Sequence, residues 1–229
     1  MRIMMDVWTA IEGRQSIRAF DTERSVADDT LRDLLNVAAR APSGSNIQPW
    51  RVWVVKGDLK ARISSACEAR YLAGDEGQGE YHYYPQHWRQ PYLGRRRETG
   101  FGLYGLLGID RKDSEAVMAY RVRNYRFFDA PVGLFFTIDR DMELGSWLDY
   151  GMFLQSIMLA ARGVGLETCP QAAFCPYYDS IMPLLGAPEE QMLVCGMAVG
   201  YALAGAPVNR YRTSRLDADD FTHFLGSEN

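Results

Sequence analysis

Between Gly145 and Val164 the chain reads GSWLDYGMFLQSIMLAARGV. Trp147, Leu148, Met152, Phe153, Ile157, Met158, Ala160 and Ala161 fall on most sides of a helical projection. A helix that is apolar on most sides has to be covered on most sides. The segment is therefore predicted to be a central, buried helix, stopped by Gly163 and Gly165, a residue type suited to helix C-termini. One domain offers limited material to cover such a helix, so the same pattern predicts a large hydrophobic interface with a second copy.

The remaining pattern is mixed. A short helix is expected over Met4–Glu12, with Val7, Ala10 and Ile11 on one side. Ser25 and Asp28 have capping-box spacing ahead of Leu31, Leu34, Leu35 and Ala38, a second helix that should stop before Pro42. Pro42 to Asn46 has loop composition, Trp50–Lys56 is β-branched and aromatic like a strand, and Asp58–Tyr71 reads as a helix. Further strands are expected at Pro131–Asp139, Glu167–Gln171 and Met192–Tyr201, and a helix at Tyr177–Leu185 ending near Gly186. Residues 74–112 are rich in Gly, Tyr and Arg and are expected to be an irregular lid, since so long a stretch inside a domain is usually functional. Beyond Ala204 the tail is expected to be extended. No repeat or low-complexity linker divides the chain, so residues 1–229 are expected to form one α+β domain. Its core would be a mostly antiparallel sheet flanked by helices.

Composition excludes several classes. A net charge of -4 argues against a general nucleic-acid binder. No segment reaches the roughly 20 apolar residues of a membrane helix, and Asp6 within Met1–Trp8 is unlike a signal peptide. Cys67, Cys169, Cys175 and Cys195 form no C-x-x-C pair and only three histidines are present, so no metal site is expected. Buried free thiols in a reducing cytoplasm are the expectation instead. Gly100 to Gly105 fits G-x-G-x-x-G, but the preceding RRRET makes a poor buried strand, so a dinucleotide turn is not expected there.

Two basic segments could close on one phosphate: Arg14, Ser16 and Arg18 after the first helix, and Arg212 and Arg215 near the end. Planar guanidinium donors and a hydroxyl suit a phosphate dianion. Taken alone, the same residues also suit a solvated surface. Four motifs in order decide between these. Gly13-Arg14-Gln15-Ser16-Ile17-Arg18-Ala19-Phe20 is an R-x-S-x-[RK]-x-[FY] opening. Ala41-Pro42-Ser43-Gly44-Ser45-Asn46-Ile47-Gln48-Pro49-Trp50 fits A-P-S-x-x-N-x-Q-P-W. The helix from Asp149 leads into Gly163-Val164-Gly165-Leu166, and Gly200-Tyr201 precedes Pro207 to Arg215. Together, across nearly the whole chain, they resemble the nitroreductase family of flavin mononucleotide (FMN) enzymes.

The resemblance implies a nitroreductase-like fold in an intertwined homodimer with FMN at the interface. By motif position Arg14, Gln15, Ser16 and Arg18 would come from one subunit, with Arg14 and Ser16 on the phosphate and Arg18 near the ribityl chain and pyrimidine edge. Pro42, Ser43, Gly44 and Asn46 would reach over from the other subunit. Pro170, Gln171, Ala172 and Ala173 match the segment whose backbone meets flavin N5 and O4, and Arg212 and Arg215 would return to the phosphate. Gln171-Ala172 stands where many members carry Glu-Gly. The activity implied is ping-pong reduction of small electron-poor aromatics such as nitroarenes, with NADH or NADPH as reductant. The cofactor carries the hard step, so no catalytic side chain is expected. Three other readings stay open: a reductive dehalogenase resembling iodotyrosine deiodinases, a flavin-binding protein without turnover, and a flavin-destroying cobalamin-ligand synthase, which needs no nicotinamide site.

Overall fold

A computed structural model describes residues 5–226. Four strands form one antiparallel sheet in the order β1-β2-β4-β3, with β1 at Arg51–Val55, β2 at Val132–Asp139, β3 at Glu167–Gln171 and β4 at Gln191–Gly200. The two central strands run buried almost without alternation, because both faces of the sheet are covered. On one face Leu134, Phe136, Val194 and Met197 pack with α2 (Asp28–Ala38) and α6 (Leu144–Arg162). On the other, Phe135 and Ala198 meet α3 (Gly57–Leu72), α7 (Tyr178–Leu185) and the turns at Val122–Asp129 and Ala172–Tyr177.

That second face depends on missing side chains. Gly133 pairs with Ala198 and Phe135 pairs with Gly196. A Cβ on Gly133 would lie 2.5 Å from the Phe127 ring, and one on Gly196 2.7 Å from Phe174. The two rings, 4.7 Å apart, fill the space the glycines leave. Phe127, Phe128 and Asp129 all take positive φ, a conformation non-glycine residues keep only where their surroundings impose it. Here the burial of Phe127 and Phe128 does so.

Helix α6 is tied to the sheet by Tyr150. Its hydroxyl lies 2.9 Å from the Arg51 carbonyl and 3.0 Å from that of Thr137, and burial holds its pKa well above the usual tyrosine value. One turn on, Phe153 stacks on Trp50 at 4.6 Å with the planes 5° apart. The expectation of a helix buried on most sides needs correcting for the single chain. Leu144 is 80% exposed, Leu148 74% and Met152 40%, one stripe at i, i+4, i+8. Near it α1 (Val7–Gly13) also leaves Val7, Trp8 and Ile11 exposed.

Three further expectations change. The N-cap of α2 is Ala27, with no side-chain cap, so Ser25 and Asp28 form no capping box. Asp28 instead pairs with Lys56 at 2.5 Å, which also bonds the Val26 carbonyl at 2.7 Å. Residues 74–112 are not irregular throughout, because Tyr92–Leu107 is a 16-residue helix, α4, and contains the G-x-G-x-x-G run. Glycines weaken a helix. Tertiary contact overrides that here, with Leu103, Tyr104 and Leu107 packed on Tyr120 and Val208. Helix α5 (Ser114–Arg121) follows, where the sequence pattern gave no element. The tail beyond Ala204 includes 3-10 turns at Pro207–Arg210 and Ala218–Asp220. No helix of the described residues is long and apolar enough to cross a membrane, and those residues hold no cluster of three His, Cys, Asp or Glu suited to a metal.

Gly133→Ala is expected to lower the unfolding free energy by roughly 1–3 kcal/mol, the usual cost of overpacking a core. It should appear as a lower urea midpoint with an unchanged slope. An unmoved midpoint would mean that Phe127 can yield.

Candidate functional site

The segment after α1 is laid along the free edge of β3. Ser16 bridges Thr168, and the Ile17 N–H donates to the Thr168 carbonyl at 3.0 Å. The tail is stitched to this segment through Asn209. Its Oδ1 accepts from the Arg18 N–H at 2.9 Å, its Nδ2 donates to the Ala19 carbonyl at 2.8 Å, and its own carbonyl accepts from the Gln15 amide at 2.8 Å. Arg212 reaches the Gly13 carbonyl at 3.2 Å, at the end of α1 where helical carbonyls lack partners.

Between the two segments lies a cavity of about 550 Å³ lined by Arg14, Gln15, Ser16, Arg18, Arg212 and Arg215 among others. None of its four guanidinium groups has a carboxylate within 4.0 Å among the described residues. Burial, then repulsion from Arg215, lowers the Arg14 pKa. The Gln15 Oε1 is buried without a partner. Beneath, Arg162 pairs with Glu167 at 2.5 Å, and burial raises the Glu167 carboxyl against the pull of the arginines. A Cβ on Gly13 would come within 2.5 Å of Arg162 Nη2, so a larger residue there would displace the Arg162 guanidinium. Like charges gathered without a counter-ion form a site that an anion completes.

A second, more apolar cavity of about 650 Å³ adjoins the first across α6. Leu154 lines one and Gln155 the other. Its walls include Trp147 and Gly151 of α6, Pro170, Gln171 and Ala172 at the end of β3, and Tyr81 and Tyr83 of the lid. A Cβ on Gly151 would meet nothing within 4 Å, so α6 presents an open face there. Pro170 fits an edge strand, which can spare the N–H that proline lacks. Gln171 donates its side-chain amide to the Asn124 carbonyl at 2.7 Å. Beside the cavity the β2–β4 register slips between Phe136 and Thr137, leaving Val194 as the extra residue. Glu80 accepts the neighbouring Leu193 N–H at 3.0 Å, and the Tyr81 hydroxyl donates to the Val194 carbonyl.

The fold thus brings six of the expected residues to the first cavity and Pro170, Gln171 and Ala172 to the second. Pro42, Ser43, Gly44 and Asn46 line neither. They sit before β1 in a turn where Ser45 and Asn46 take positive φ, and the Gly44 N–H donates to Asp149 Oδ2 at 3.0 Å. Asn209 and Asp149 stand inside the sequence motifs but were given no role there. Asp149 left a signal, as a carboxylate inside an apolar helix, and proves 8% exposed. The role of Asn209 in stitching the tail to Gln15, Arg18 and Ala19 shows only in the structure.

This architecture is that of the nitroreductase family, whose model matches residues 11–201. The chain belongs to that family. It is 39% identical to chloronitrobenzene nitroreductase of Comamonas testosteroni, over 94% of this chain and 95% of that one. It is 37% identical to 4-nitrobenzoate reductase of Pseudomonas putida, over 99% of each. Among solved structures, the FMN- and NADPH-dependent nitroreductase NfnB from Sphigopyxis sp. strain HMH superposes with a TM-score of 0.94 at 38% identity, covering 97% of this chain and 100% of that one. The FMN-dependent NfnB from Mycobacterium smegmatis in complex with NADPH gives 0.89 at 32%, covering 95% and 96%.

Asn209→Ala is expected to cost about 1–3 kcal/mol, because it strips partners from half-buried backbone groups. It should also open the chain beyond Leu203 to limited proteolysis. A tail cleaved no faster than before would mean that Arg212 and Val208 suffice to hold it.

Proposed function

We propose that the two adjoining cavities hold FMN and that the protein uses NADPH or NADH to reduce nitroarenes. One observation carries the reading. Four unneutralised arginines and Ser16 line a cavity of phosphate-binding chemistry that adjoins an apolar one, open at Gly151, of a size that takes a flat ring. The names of the relatives support it, as nitroarene reductases and as FMN- and NADPH-dependent enzymes. Bound FMN would supply hydride transfer from a reduced nicotinamide to the nitro group. That converts R–NO₂, a hydride and a proton to R–NO and water.

The chain's own residues position. Arg14, Ser16, Arg212 and Arg215 hold the phosphate, and Arg18 stands toward the ribityl chain and the pyrimidine edge. Residues 170–172, Trp147, Tyr81 and Tyr83 line the second cavity, where they would meet the ring. A single space there serves reductant and nitroarene in turn, which gives ping-pong kinetics. The dehalogenase alternative, whose resemblance implies a lid Glu and Tyr that grip a zwitterionic substrate, loses support, since Glu80 is committed to Leu193 and to Arg140 at 2.6 Å and Tyr81 to Val194. Four buried, unpaired thiols accord with a reducing cytoplasm.

The protein acts as a homodimer in this reading. A partner covers Leu144, Leu148 and Met152, and its Pro42–Asn46 turn completes the flavin site. Leu148→Glu should shift sedimentation from dimer to monomer and reduce copurified FMN together. A variant that stays dimeric at micromolar concentration would place the interface elsewhere.

Arg14→Ala and Arg215→Ala test the phosphate assignment. Each removes a charge-assisted contact of roughly 1.5–3 kcal/mol. FMN affinity should fall by about one to two orders of magnitude, while riboflavin, lacking the phosphate, binds as before. Equal losses for both flavins would indicate misfolding; no loss for FMN would remove the phosphate from this cavity.

A further inference from the structure

From the mouth of the second cavity a line of aromatic rings leads outward. Tyr83 lines the cavity. It lies 6.4 Å from Tyr81 and 4.7 Å from Tyr84, and Tyr84 lies 5.5 Å from Trp88. The line ends on a cation, with Arg96 Cζ 4.6 Å from the Trp88 ring and 6.0 Å from Tyr84. Arg89 and Arg95 gather beside it over Tyr92, at 5.0 and 5.8 Å. None of these three arginines has a carboxylate within 4.0 Å among the described residues, whereas Arg70, Arg126 and Arg140 are all closed by one.

The rings stand on fixed supports. At the base, Glu80 and Tyr81 fill the bulge of β4. Beyond the arginines, Glu98 of α4 accepts from the Ser214 hydroxyl at 2.8 Å, and Gly102 lies against Tyr211. Tyr83 and Tyr84 remain more than half exposed, so aromatic surface is left for a planar base. Guanidinium groups held beside such faces suit a phosphate on the sugar that carries such a base.

We propose that Arg96, with Arg89 and Arg95 beside it, reads the 2′-phosphate of the reduced dinucleotide and selects NADPH over NADH. This rests on the second cavity being where the nicotinamide reacts. The two dinucleotides differ only in that phosphate, which sits on the adenosine end, away from the nicotinamide. A nitroarene held in the cavity does not extend along three successive rings to Arg96, so an arene carboxylate is the weaker match. Among the three cations Arg96 is the one stacked on the line that leaves the cavity.

Steady-state kinetics on the FMN-loaded enzyme test this with Arg96→Gln and Arg96→Ala. The KM for NADPH should rise about 10- to 100-fold, the effect of one lost charge-assisted contact. The KM for NADH, and those for 4-nitrobenzoate and nitrobenzene, should stay within about twofold. Calorimetric titration with 2′,5′-ADP and 5′-AMP reads the same contact without turnover. The wild type should bind 2′,5′-ADP more tightly than 5′-AMP, and the variants should lose that difference. If NADPH and NADH shift together, or neither shifts, the proposal is overturned. A rise confined to 4-nitrobenzoate overturns it too, and assigns Arg96 to the acceptor's carboxylate. Were the wild type to oxidise neither dinucleotide, the proposed function would fail, while the titration would still decide what Arg96 binds.

Discussion

Everything distinctive in this molecule hangs on a helix whose first half the chain covers on one side only. Tyr150, Phe153, Ile157 and Ala161 bind α6 to the sheet, where the Tyr150 hydroxyl and the Trp50–Phe153 stack set its height and rotation. Fixing that face fixes the other. Leu144, Leu148 and Met152 are then held out to solvent as one stripe, and Gly151, Leu154 and Gln155 line the cavities. Rotating the helix to hide the stripe would expose the aromatic face and break the tie to β1 and β2. The exposed apolar surface is therefore a consequence of good internal packing.

The cation cluster follows a similar logic. Arg14, Arg18, Arg212 and Arg215 carry like charges, and burial, then repulsion from Arg215, lowers the pKa of Arg14. Backbone geometry holds them near each other. The Asn209 hydrogen bonds and the Ser16–Thr168 bridge fix the two segments whatever their charges prefer. Folding energy spent elsewhere thus keeps the four guanidinium groups preorganised, the condition under which charged contacts contribute most to binding.

Much of the architecture was legible along the chain. Strands β2 and β4 announced themselves as unbroken apolar runs because both faces of the sheet are covered. Helix α7 and its stop at Gly186, which takes φ +68°, followed from composition. Helix α4 did not. Its four glycines and its weak amphipathic pattern read as loop, and it is helical because Tyr120, Val208 and Tyr211 give one side of it something to pack on. The capping box at Ser25 had the right spacing, yet Lys56, from the far end of β1, takes Asp28 instead.

The sequence by itself determined the family, the order of the strands along the chain, and which short segments carry arginine, hydroxyl and amide groups. All of these are properties of local pattern. Only the tertiary structure decided that segments some 200 residues apart share one cavity, that Glu80 and Tyr81 are spent on a bulge in β4, and that one side of α6 stays bare. Those outcomes depend on which surfaces meet once the sheet closes, and pairwise contact between distant residues leaves no periodic trace in a single chain.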